Sequence, residues 1–492
     1  MDSSKEYNEK LKVVSLFSGC GGLDLGFTMS NNYSIAFASD IKEVAAKTYT
    51  ENFGFEMAKR LSGCAGGPPI FYHGDIRGMD FSAMRSMFPE TDVVIGGPPC
   101  QDFSIARGTD LANAGIHTDR GRLYAYFVKA LIYLKPKYFV FENVPGLVSD
   151  NKGATWSIIK EDFKNLSIHV KDIEMIAGDG FNGSSPEYEL AYAGVVDAAA
   201  VGVPQRRRRV IVVGIRRDII EEKYTGLYGM AVKKIKEICR ENIEGAGSTF
   251  SEYPLTPIEV FEGKTLDKLE GKYSEIMNEW LSEDSNKKVP AIEKWAQIHS
   301  KTAQEGILKS YCEINNVQFN PRTLIHAMRE HEYALKRLGF YGIKVCLDNN
   351  GDESCSFFHE TKRVLERMFY IPPDQNYKFL YRYQRFRVEG KNISMIYRRL
   401  HILKPAYTIT ANGGGGTHGY HYERYRSRIT IREMARLQSF PDSFKFSGTK
   451  TEINSQIGEA VPPLLGTRIS EAVWLINRML QTQVKSIDTQ NP

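Results

Sequence analysis

Long apolar segments are lacking in this chain of 492 residues. No run approaches the roughly 20 residues that a membrane-spanning helix needs, so a membrane protein is not expected. The polar N-terminus, with Asp2 and Glu6, lacks the apolar stretch of a secretory signal peptide. These absences predict a protein of the cytoplasm.

Cysteine is sparse, and its seven residues form a scattered, odd-numbered set without a CxxC pair. Disulfide-built domains and structural zinc sites usually need paired or closely spaced cysteines. We therefore expect reduced thiols, no disulfide framework and no metal.

A strong excess of charge is absent as well. The 64 Lys and Arg residues nearly balance the 59 Asp and Glu residues, which leaves a formal net charge of +5. Such a charge permits a nucleic-acid partner without requiring one. The contents of 42% hydrophobic and 25% charged residues are ordinary for a globular protein, and the length predicts two or more domains.

Short apolar runs alternate with amphipathic stretches in the first part of the chain. Strands are predicted at residues 13–17, 34–38, 92–95, 138–141 and 210–215, and a helix is predicted at residues 123–134. This alternation is typical of an α/β fold, in which helices cover both faces of a mostly parallel sheet.

The composition changes after Arg217. Residues 218–400 are richer in Lys, Glu, Asn and Tyr, and the α/β pattern then returns, with a long helix predicted near residues 464–480. We therefore predict an α/β domain at residues 1–217 that is completed by residues 401–480. A second domain is inserted at residues 218–400, and residues 481–492 form a loose polar tail.

A glycine-rich turn follows the first predicted strand and comprises Phe17, Ser18, Gly19, Cys20, Gly21 and Gly22. Glycines at such a turn let a ligand approach the backbone closely, and the spacing is not the GxGxxG of nicotinamide sites. Asp40 ends the next strand, and an acid about 20 residues beyond the glycines suits ribose hydroxyls. Asp75 follows a possible third strand and could accept from an adenine amino group. Together they predict a nucleoside-bearing cofactor, although each alone also suits an ordinary turn.

A candidate nucleophile lies in the sequence GGPPCQDFS at residues 96–104. Gly and Pro end a buried strand there, which leaves Cys100 at the carboxyl edge where open α/β sheets bind ligands. Glu142 ends another predicted strand. If the two strands are parallel, a thiol and a carboxyl share one edge, which is the minimum for covalent catalysis on an unsaturated ring. A lone cysteine is more often simply packed, and Glu142 alone also suits a turn cap.

Four adjacent arginines, Arg206 to Arg209, lead into the strand predicted at residue 210. Side chains alternate along a strand, so Arg207 and Arg209 share one face and could reach a site. Arg206 and Arg208 would take another role, such as phosphate contact. The alternative is a solvated basic face.

Taken together, these motifs resemble those of the DNA cytosine-5 methyltransferases of bacterial type II restriction–modification systems. The resemblance covers about residues 12–217 and 403–475. The matching segments, in the family's order, are 17–22 (FSGCGG), 98–104 (PPCQDFS), 142–144 (ENV), 205–209 (QRRRR), 432–442 (REMARLQSFPD) and 456–463 (QIGEAVPP). One departure is Glu459, where the family usually has Asn, so no cofactor contact is carried over to that position.

The resemblance implies a Rossmann-like, S-adenosylmethionine-dependent methyltransferase domain with an inserted, smaller target-recognition domain. Its reaction would transfer a methyl group to C5 of a flipped-out cytosine in a short DNA site, with S-adenosylhomocysteine as product and no metal. Cys100 would attack C6, and Glu142 would protonate or hydrogen-bond N3 and the exocyclic amine. Arg207 would hold O2, and Arg209 would help to order the site. Flipping is required because C6 of a stacked base is out of reach.

The family's cofactor contacts fall on Phe17, Ser18, Gly19, Gly21, Gly22, Asp40, Ile41, Asp75, Ile76, Pro99 and Leu123. Within this set, the resemblance implies that Phe17 stacks on adenine and Asp40 binds ribose. Asp75 and Ile76 would border the adenine, and Pro99 would lie near the sulfonium.

The implied partner is double-stranded DNA in a prokaryotic cell. Residues 101–119 are long and polar, as a loop closing over the flipped base should be, which makes Gln101 and Ser104 candidate DNA contacts. The inserted domain would read the sequence, with Arg382, Arg385 and Arg387 among interleaved aromatics suited to phosphates. A surface strand with alternating charge is the alternative for that stripe.

The same resemblance implies a monomer whose target site is shared with a cognate restriction endonuclease. Two alternative functions stay open. One is a tRNA cytosine-5 methyltransferase of the same fold, and the other is a catalytically silent, sequence-specific DNA-binding protein.

Overall fold

The computed structural model describes residues 10–61, 69–99, 122–169, 185–282, 289–347, 353–387, 396–411 and 419–488. None of the helices in these ranges is long and apolar enough to cross a membrane. The chain divides into two compact units, the first made of residues 1–197, 208–246 and 465–492, and the second of residues 198–207 and 247–464. The main segment of the second unit therefore begins and ends later than the inserted domain predicted at residues 218–400, and residues 198–207 join it from before that range.

The first unit is built on a sheet of eight strands within the described ranges. In chain order these are β1 (Leu11–Leu16), β2 (Tyr33–Asp40), β3 (Glu56–Ala58), β4 (Ile70–His73), β5 (Val93–Gly96), β6 (Tyr138–Asn143), β7 (Tyr188–Asp197) and β8 (Arg208–Arg216). Their order across the sheet is β3-β4-β2-β1-β5-β6-β8-β7. All neighbours are parallel except β8, which is antiparallel to β6 and β7. The predicted mostly parallel sheet is confirmed.

The order of strands reverses around β1. From β1 the chain passes to β2 on one side and returns later to β5 on the other side. Ligands of open α/β sheets bind at such a switch point, beyond the carboxyl ends of the strands. The segments that follow β1 and β5 are the glycine-rich turn and the Pro98–Pro99 turn. Two of the predicted motifs therefore lie along one edge of the sheet.

The α-helices are α1 (Gly22–Met29), α2 (Glu43–Phe53), α3 (Phe81–Met87), α4 (Arg122–Leu134), α5 (Gly146–Ser149), α6 (Ala154–Lys164), α7 (Arg217–Lys223), α8 (Tyr228–Ile243), α9 (Thr249–Glu252), α10 (Pro257–Glu262), α11 (Glu270–Leu281), α12 (Pro290–Gln304), α13 (Ile307–Ile314), α14 (Pro321–Arg337), α15 (Lys362–Phe369), α16 (Ile431–Leu437), α17 (Lys450–Glu459) and α18 (Pro463–Asp488). Helices α1–α8 and nearly all of α18 belong to the first unit, and α9–α17 belong to the second.

An aromatic core packs against the sheet of the first unit. Phe127 of α4 and Phe139 and Phe141 of β6 pack with Phe163 of α6 in tilted and edge-to-face contacts. This aromatic core fixes β6 behind the edge that carries the motifs.

A buried ion pair joins α10 and α14 in the second unit. His331 Nδ1 lies 2.8 Å from Glu259 Oε1, and His331 Nε2 lies 2.8 Å from the carbonyl oxygen of Tyr253. Both side chains are fully buried. Because both ring nitrogens face acceptors, the ring is an imidazolium that donates twice. Burial disfavours this charge, but the carboxylate of Glu259 outweighs the penalty and raises the pKa of His331.

Buried arginines tie the loops of the second unit together. Arg399 donates to five carbonyl oxygens, those of Met368, Ile371, His421, Glu423 and Arg426. Arg436 donates to the carbonyl oxygens of Val260 and Ile343 and pairs with Asp442. Buried carbonyl groups need donors, and guanidinium groups supply them here.

Cys346 and Cys355 form a disulfide in the second unit, with their Cα atoms 5.5 Å apart. This corrects the expectation that all thiols are reduced. The nine-residue separation of the pair matches no recognised spacing, and it is the fold that brings the two side chains together.

Candidate active site

The turn between β1 and α1 has a backbone that glycine adopts most easily. Gly19 and Gly21 have φ angles of 55° and 91°, and Phe17 also has a φ of 55°. The left-handed region costs a non-glycine residue about 1–2 kcal/mol, and such strain clusters at ligand sites. A Cβ on Gly21 would lie 2.6 Å from the ring of Phe53, so this position admits no side chain.

Asp40, at the end of β2, holds this turn from the side. Its Oδ2 accepts a hydrogen bond from the Gly19 N–H and its Oδ1 accepts one from the Lys42 N–H, both at 2.9 Å. Ile41 is 61% exposed. This edge therefore offers carboxylate oxygens to hydroxyl groups and an apolar side chain to a flat ring.

Asp75 follows β4 and caps a 3-10 turn at Ile76–Gly78. Its Oδ1 accepts from the Arg77 N–H at 2.9 Å, and its Oδ2 accepts from Arg77 Nε at 2.8 Å. The hydrogen bonds from Arg77 lower the pKa of Asp75, which keeps it an anionic acceptor. Ile76 is buried in the core of this unit, and Phe17 and Leu123 pack against the same core.

Glu142 lies on β6 directly beside the end of β5. Its Oε1 pairs with Nε of Arg209 on β8 at 2.9 Å, and both side chains are about nine-tenths buried. Burial lowers the pKa of Arg209, and Glu142 opposes this shift. A Cβ on Gly97 would lie 2.7 Å from Glu142 Oε2. The glycine of the GGPPC sequence therefore provides the space that the carboxyl occupies.

Asn143 fixes the proline turn after β5. Its Nδ2 donates to the carbonyl oxygen of Pro98 at 3.0 Å, and its Oδ1 accepts from the Val144 N–H at 2.8 Å. Sequence reasoning quoted Asn143 and Gly97 within motifs but gave neither a role. The sequence does indicate a role for each, because Gly97 is close to the predicted nucleophile and Asn143 directly follows the predicted acid.

Arg207 is fully buried in the second unit. Its Nη1 donates to the carbonyl oxygen of Ile409 at 2.9 Å, and its Nη2 donates to those of Gly458 at 2.7 Å and Ala460 at 2.9 Å. Burial alternates from exposed Arg206 to buried Arg209 as predicted for strand geometry. The side chain predicted to hold cytosine O2 is, however, bonded to the backbone of its own unit.

The remaining predicted site residues include some that lie outside the described residues and some that lie on the surface. Cys100, Gln101 and Ser104 lie outside the described residues, and Pro99 is exposed at the end of its range. In the second unit, Arg382, Arg385 and Arg387 are exposed, but they do not form a strand. Arg382 follows the 3-10 turn at Tyr377–Leu380, Arg385 lies within the 3-10 turn at Gln384–Phe386, and Arg387 follows that turn. Arg385 pairs with Glu366, and Arg387 stacks 5.0 Å from the ring centre of Tyr381. Glu459 is exposed and accepts from Ser455 Oγ at 3.2 Å.

The strand order, the glycine-rich turn and the acidic strand ends at the switch point define a Rossmann-like methyltransferase fold. No three His, Cys, Asp or Glu side chains in the described ranges cluster so as to hold a metal. A crystal structure of a DNA modification methyltransferase encoded within an E. coli prophage has a similar fold, with a TM-score of 0.51 at 20% identity. The similarity covers 95% of this chain and all of that one.

The model of the C-5 cytosine-specific DNA methylase family matches residues 11–474, and the chain belongs to this family. It is 44% identical over 472 residues to the DNA (cytosine-5-)-methyltransferase M.ApeKI of Aeropyrum pernix, which covers 94% of this chain and 98% of that relative. It is 29% identical over 456 residues to the type II methyltransferase M.NgoFVII of Neisseria gonorrhoeae, which covers 93% and 84%. The family predicted from the motifs is confirmed.

Proposed function

We propose that this protein transfers a methyl group from S-adenosylmethionine to C5 of cytosine in a short, specific duplex DNA site. One observation carries the assignment beyond family membership. Glu142 is seated against Gly97 and held by Arg209, so an acid lies at the carboxyl end of β6 beside Gly97. Gly97 is three residues before Cys100 in the sequence. A positioned acid beside a nucleophile is what addition to a pyrimidine ring requires.

The residues of the glycine-rich turn fit the cofactor. A Cβ on Gly19 would meet no atom within 4 Å, and Phe17 has a left-handed backbone, so a ligand can approach the turn that Ser18, Gly21 and Gly22 complete. Asp40 would bind the ribose hydroxyls, and the exposed Ile41 would cover one face of the adenine. Bound S-adenosylmethionine supplies a methyl group activated by its sulfonium, and S-adenosylhomocysteine is the product.

Asp75 and Ile76 would border the adenine on its other edge. Leu123 would add an apolar contact, because it packs against the same core as Phe17. Pro99 would face the sulfonium. Because Arg77 already binds the Asp75 carboxylate, an adenine amino group would have to share that carboxylate with it.

The chemistry on the substrate follows from this set. The Cys100 thiolate adds to C6 of a flipped-out cytosine while Glu142 hydrogen-bonds or protonates N3, which makes C5 nucleophilic. Once C5 carries the methyl group, water removes its proton and the C6–S bond breaks to release Cys100. The cost of flipping, a few kcal/mol, is offset by protein contacts, among them those proposed for Gln101 and Ser104.

We assign the contact with the base to Arg209 rather than to Arg207. Arg209 orients Glu142 through a 2.9 Å ion pair and lies on the same sheet. The guanidinium of Arg207 instead holds three carbonyl oxygens. Its role would be to hold together segments within the second unit.

The second unit would recognise the target sequence. Arg382 and Arg387 are the better candidates for phosphate contacts, since Arg385 is already paired with Glu366. The Tyr381–Arg387 stack presents a flat surface of the kind that nucleic acids meet. We further propose that the protein acts as a monomer in a prokaryotic cytoplasm and protects a site that a cognate endonuclease cleaves.

The decisive experiment compares nucleic acids. Tritium transfer from labelled S-adenosylmethionine should occur to duplex DNA and not to tRNA, and bisulfite sequencing should identify one cytosine within a short site. Cys100→Ser should abolish transfer while DNA binding survives. Labelling of tRNA in place of DNA would favour the tRNA enzyme, and specific DNA binding without any transfer would favour the silent binder.

A further inference from the structure

A buried carboxyl lies directly beneath the glycine-rich turn. Asp24 is in the first turn of α1 and is 1% exposed. Its Oδ1 accepts a hydrogen bond from the hydroxyl of Tyr49 at 2.9 Å, and its carboxyl also bonds the side chain of Ser15. Burying a carboxyl is unfavourable unless it is well hydrogen-bonded, so its partners indicate what it does.

These partners connect Asp24 to the turn through a chain of hydroxyl groups. The Ser39 N–H donates to Ser18 Oγ at 3.2 Å, and Ser18 Oγ donates to Ser15 Oγ at 2.8 Å. A serine hydroxyl has one proton to give. Since Ser18 gives its proton to Ser15, the proton of Ser15 points to Asp24. The chain therefore runs in one direction and requires an acceptor at Asp24.

The second partner reaches the turn from another side. The ring of Tyr49 lies so close to Gly21 that a Cβ there would be 2.9 Å from it. The same tyrosine gives its hydroxyl proton to Asp24. Asp24 thus acts on the turn at two points, Ser18 through Ser15 and Gly21 through Tyr49.

We propose that Asp24, as a carboxylate, is a positioning residue for the cofactor and that cofactor affinity depends on its ionisation. It orders residues 17–22 by orienting the hydroxyl groups beneath them. This inference rests on the proposed function, because that turn is where S-adenosylmethionine is proposed to bind.

The ionisation falls in an accessible range of pH. Burial raises the pKa of Asp24 from 3.8 to about 6, although hydrogen bonds from Ser15 and Tyr49 oppose the shift. Protonation converts one acceptor oxygen into a donor, and one of the two incoming hydrogen bonds is then lost. Tyr49 faces Asp24 and stays neutral, because burial raises the pKa of its phenol well above 10. β1 presents Ser15 and β2 presents the Ser39 N–H, and neither group titrates. Gly466 of α18 approaches Leu23 and Gly26 of the same helix as Asp24.

The test is calorimetric binding of S-adenosylhomocysteine to the full-length protein, which needs no turnover. Wild-type affinity should fall about tenfold as the pH is lowered from about 8 to about 5, with a midpoint near 6. Asp24→Asn should bind about tenfold more weakly at pH 8 and lose this midpoint, since its amide group offers one acceptor oxygen in place of two. Tyr49→Phe should weaken binding less and keep the midpoint.

Thermal unfolding separates positioning from a structural role. Because the folded pKa of Asp24 lies above the unfolded one, its contribution to stability is full below about pH 4 and is lost as the pH rises through about 6. Asp24→Asn should therefore not lower the Tm at pH 8. The matched control is Tyr33→Phe, which removes a buried hydrogen bond to the Ser470 carbonyl oxygen away from the turn. It should lower the Tm and leave the affinity unchanged.

Three outcomes would overturn the proposal. They are wild-type affinity in Asp24→Asn, a retained midpoint near pH 6 in that variant, and a loss of affinity that only follows a loss of Tm. Failure of the wild-type protein to bind S-adenosylhomocysteine at any pH would instead contradict the proposed function.

Discussion

Replacing Gly97 by alanine should impair catalysis while the fold and cofactor binding remain intact. The new Cβ would lie 2.7 Å from Glu142 Oε2, whereas ordinary contacts begin at 3.4 Å. The backbone of Gly97 is outside the left-handed region, so alanine adds no strain there. The carboxyl must therefore recede and pull away from Arg209. A displacement on the order of 1 Å costs about 100-fold in rate, and we expect kcat to fall by about that factor.

Initial rates of tritium transfer to duplex DNA measure this effect, and the KM for the cofactor should stay within about twofold of wild type. Gly146→Ala is the matched control, because a Cβ at that position meets no atom within 4 Å, and it should retain activity. Combining Gly97→Ala with Glu142→Asp should be less than additive, since the shorter acid avoids the methyl group. A kcat for Gly97→Ala within about threefold of wild type would refute the inferred placement of Glu142.

Four further substitutions probe two arginines of the RRRR sequence, the buried ion pair and the proposed DNA surface. Arg209→Met should lower kcat at least about tenfold, because Glu142 loses the partner that orients it. Arg207→Met should lower the free energy of unfolding by about 3 kcal/mol, because buried carbonyls lose their donors. Initial rates and urea unfolding would contradict these roles if Arg207→Met lowered kcat more than Arg209→Met does. Since Glu259 raises the pKa of His331, the imidazolium stabilises the fold fully below about pH 6.5, and this stability is lost as the pH rises through the higher folded pKa. The free energy of unfolding, measured with urea from about pH 6 to about pH 9, should therefore fall less steeply with rising pH in His331→Gln than in the wild type. An unchanged slope would exclude His331 as a source of this pH dependence. Arg382→Ala should weaken DNA binding equally for all sequences and reduce by about 1 the slope of log affinity against log salt concentration. Fluorescence anisotropy at several salt concentrations measures both effects. An altered sequence preference would contradict a phosphate contact.

Local sequence patterns are sufficient to predict the sheet around the site. The strands predicted at residues 138–141 and 210–215 fall within β6 and β8, because uninterrupted apolar runs report burial on both faces. The strand β7 was not predicted. Its sequence contains Glu189, Gly194 and several half-buried positions, which a strand at the edge of a sheet tolerates. No continuous apolar run therefore marks this strand.

The partners of the site residues depend on contacts that no local pattern contains. The acceptors of Arg207 lie more than 200 residues away in sequence, so alternation could predict its burial but not its role. Asp24 occupies a helix position where an acid is usually solvated, and only the fold reveals its hydroxyl partners. The aromatic and basic stripe before Arg387 imitates a strand, yet local hydrogen bonds of Asn376 and Tyr383 favour 3-10 turns.

The arginines that bind carbonyl groups in the second unit bear on how target specificity can change. Arg399 and Arg436 recognise main-chain oxygens, and every amino acid carries the same main-chain oxygen. The residues that supply those oxygens can therefore be exchanged without loss of the contact, provided that the path of the chain is kept. A scaffold fixed in this way tolerates variation in the loops of the second unit, which we propose to meet DNA. Relatives of this protein could thus diverge in the site they read while a small set of arginines preserves the frame.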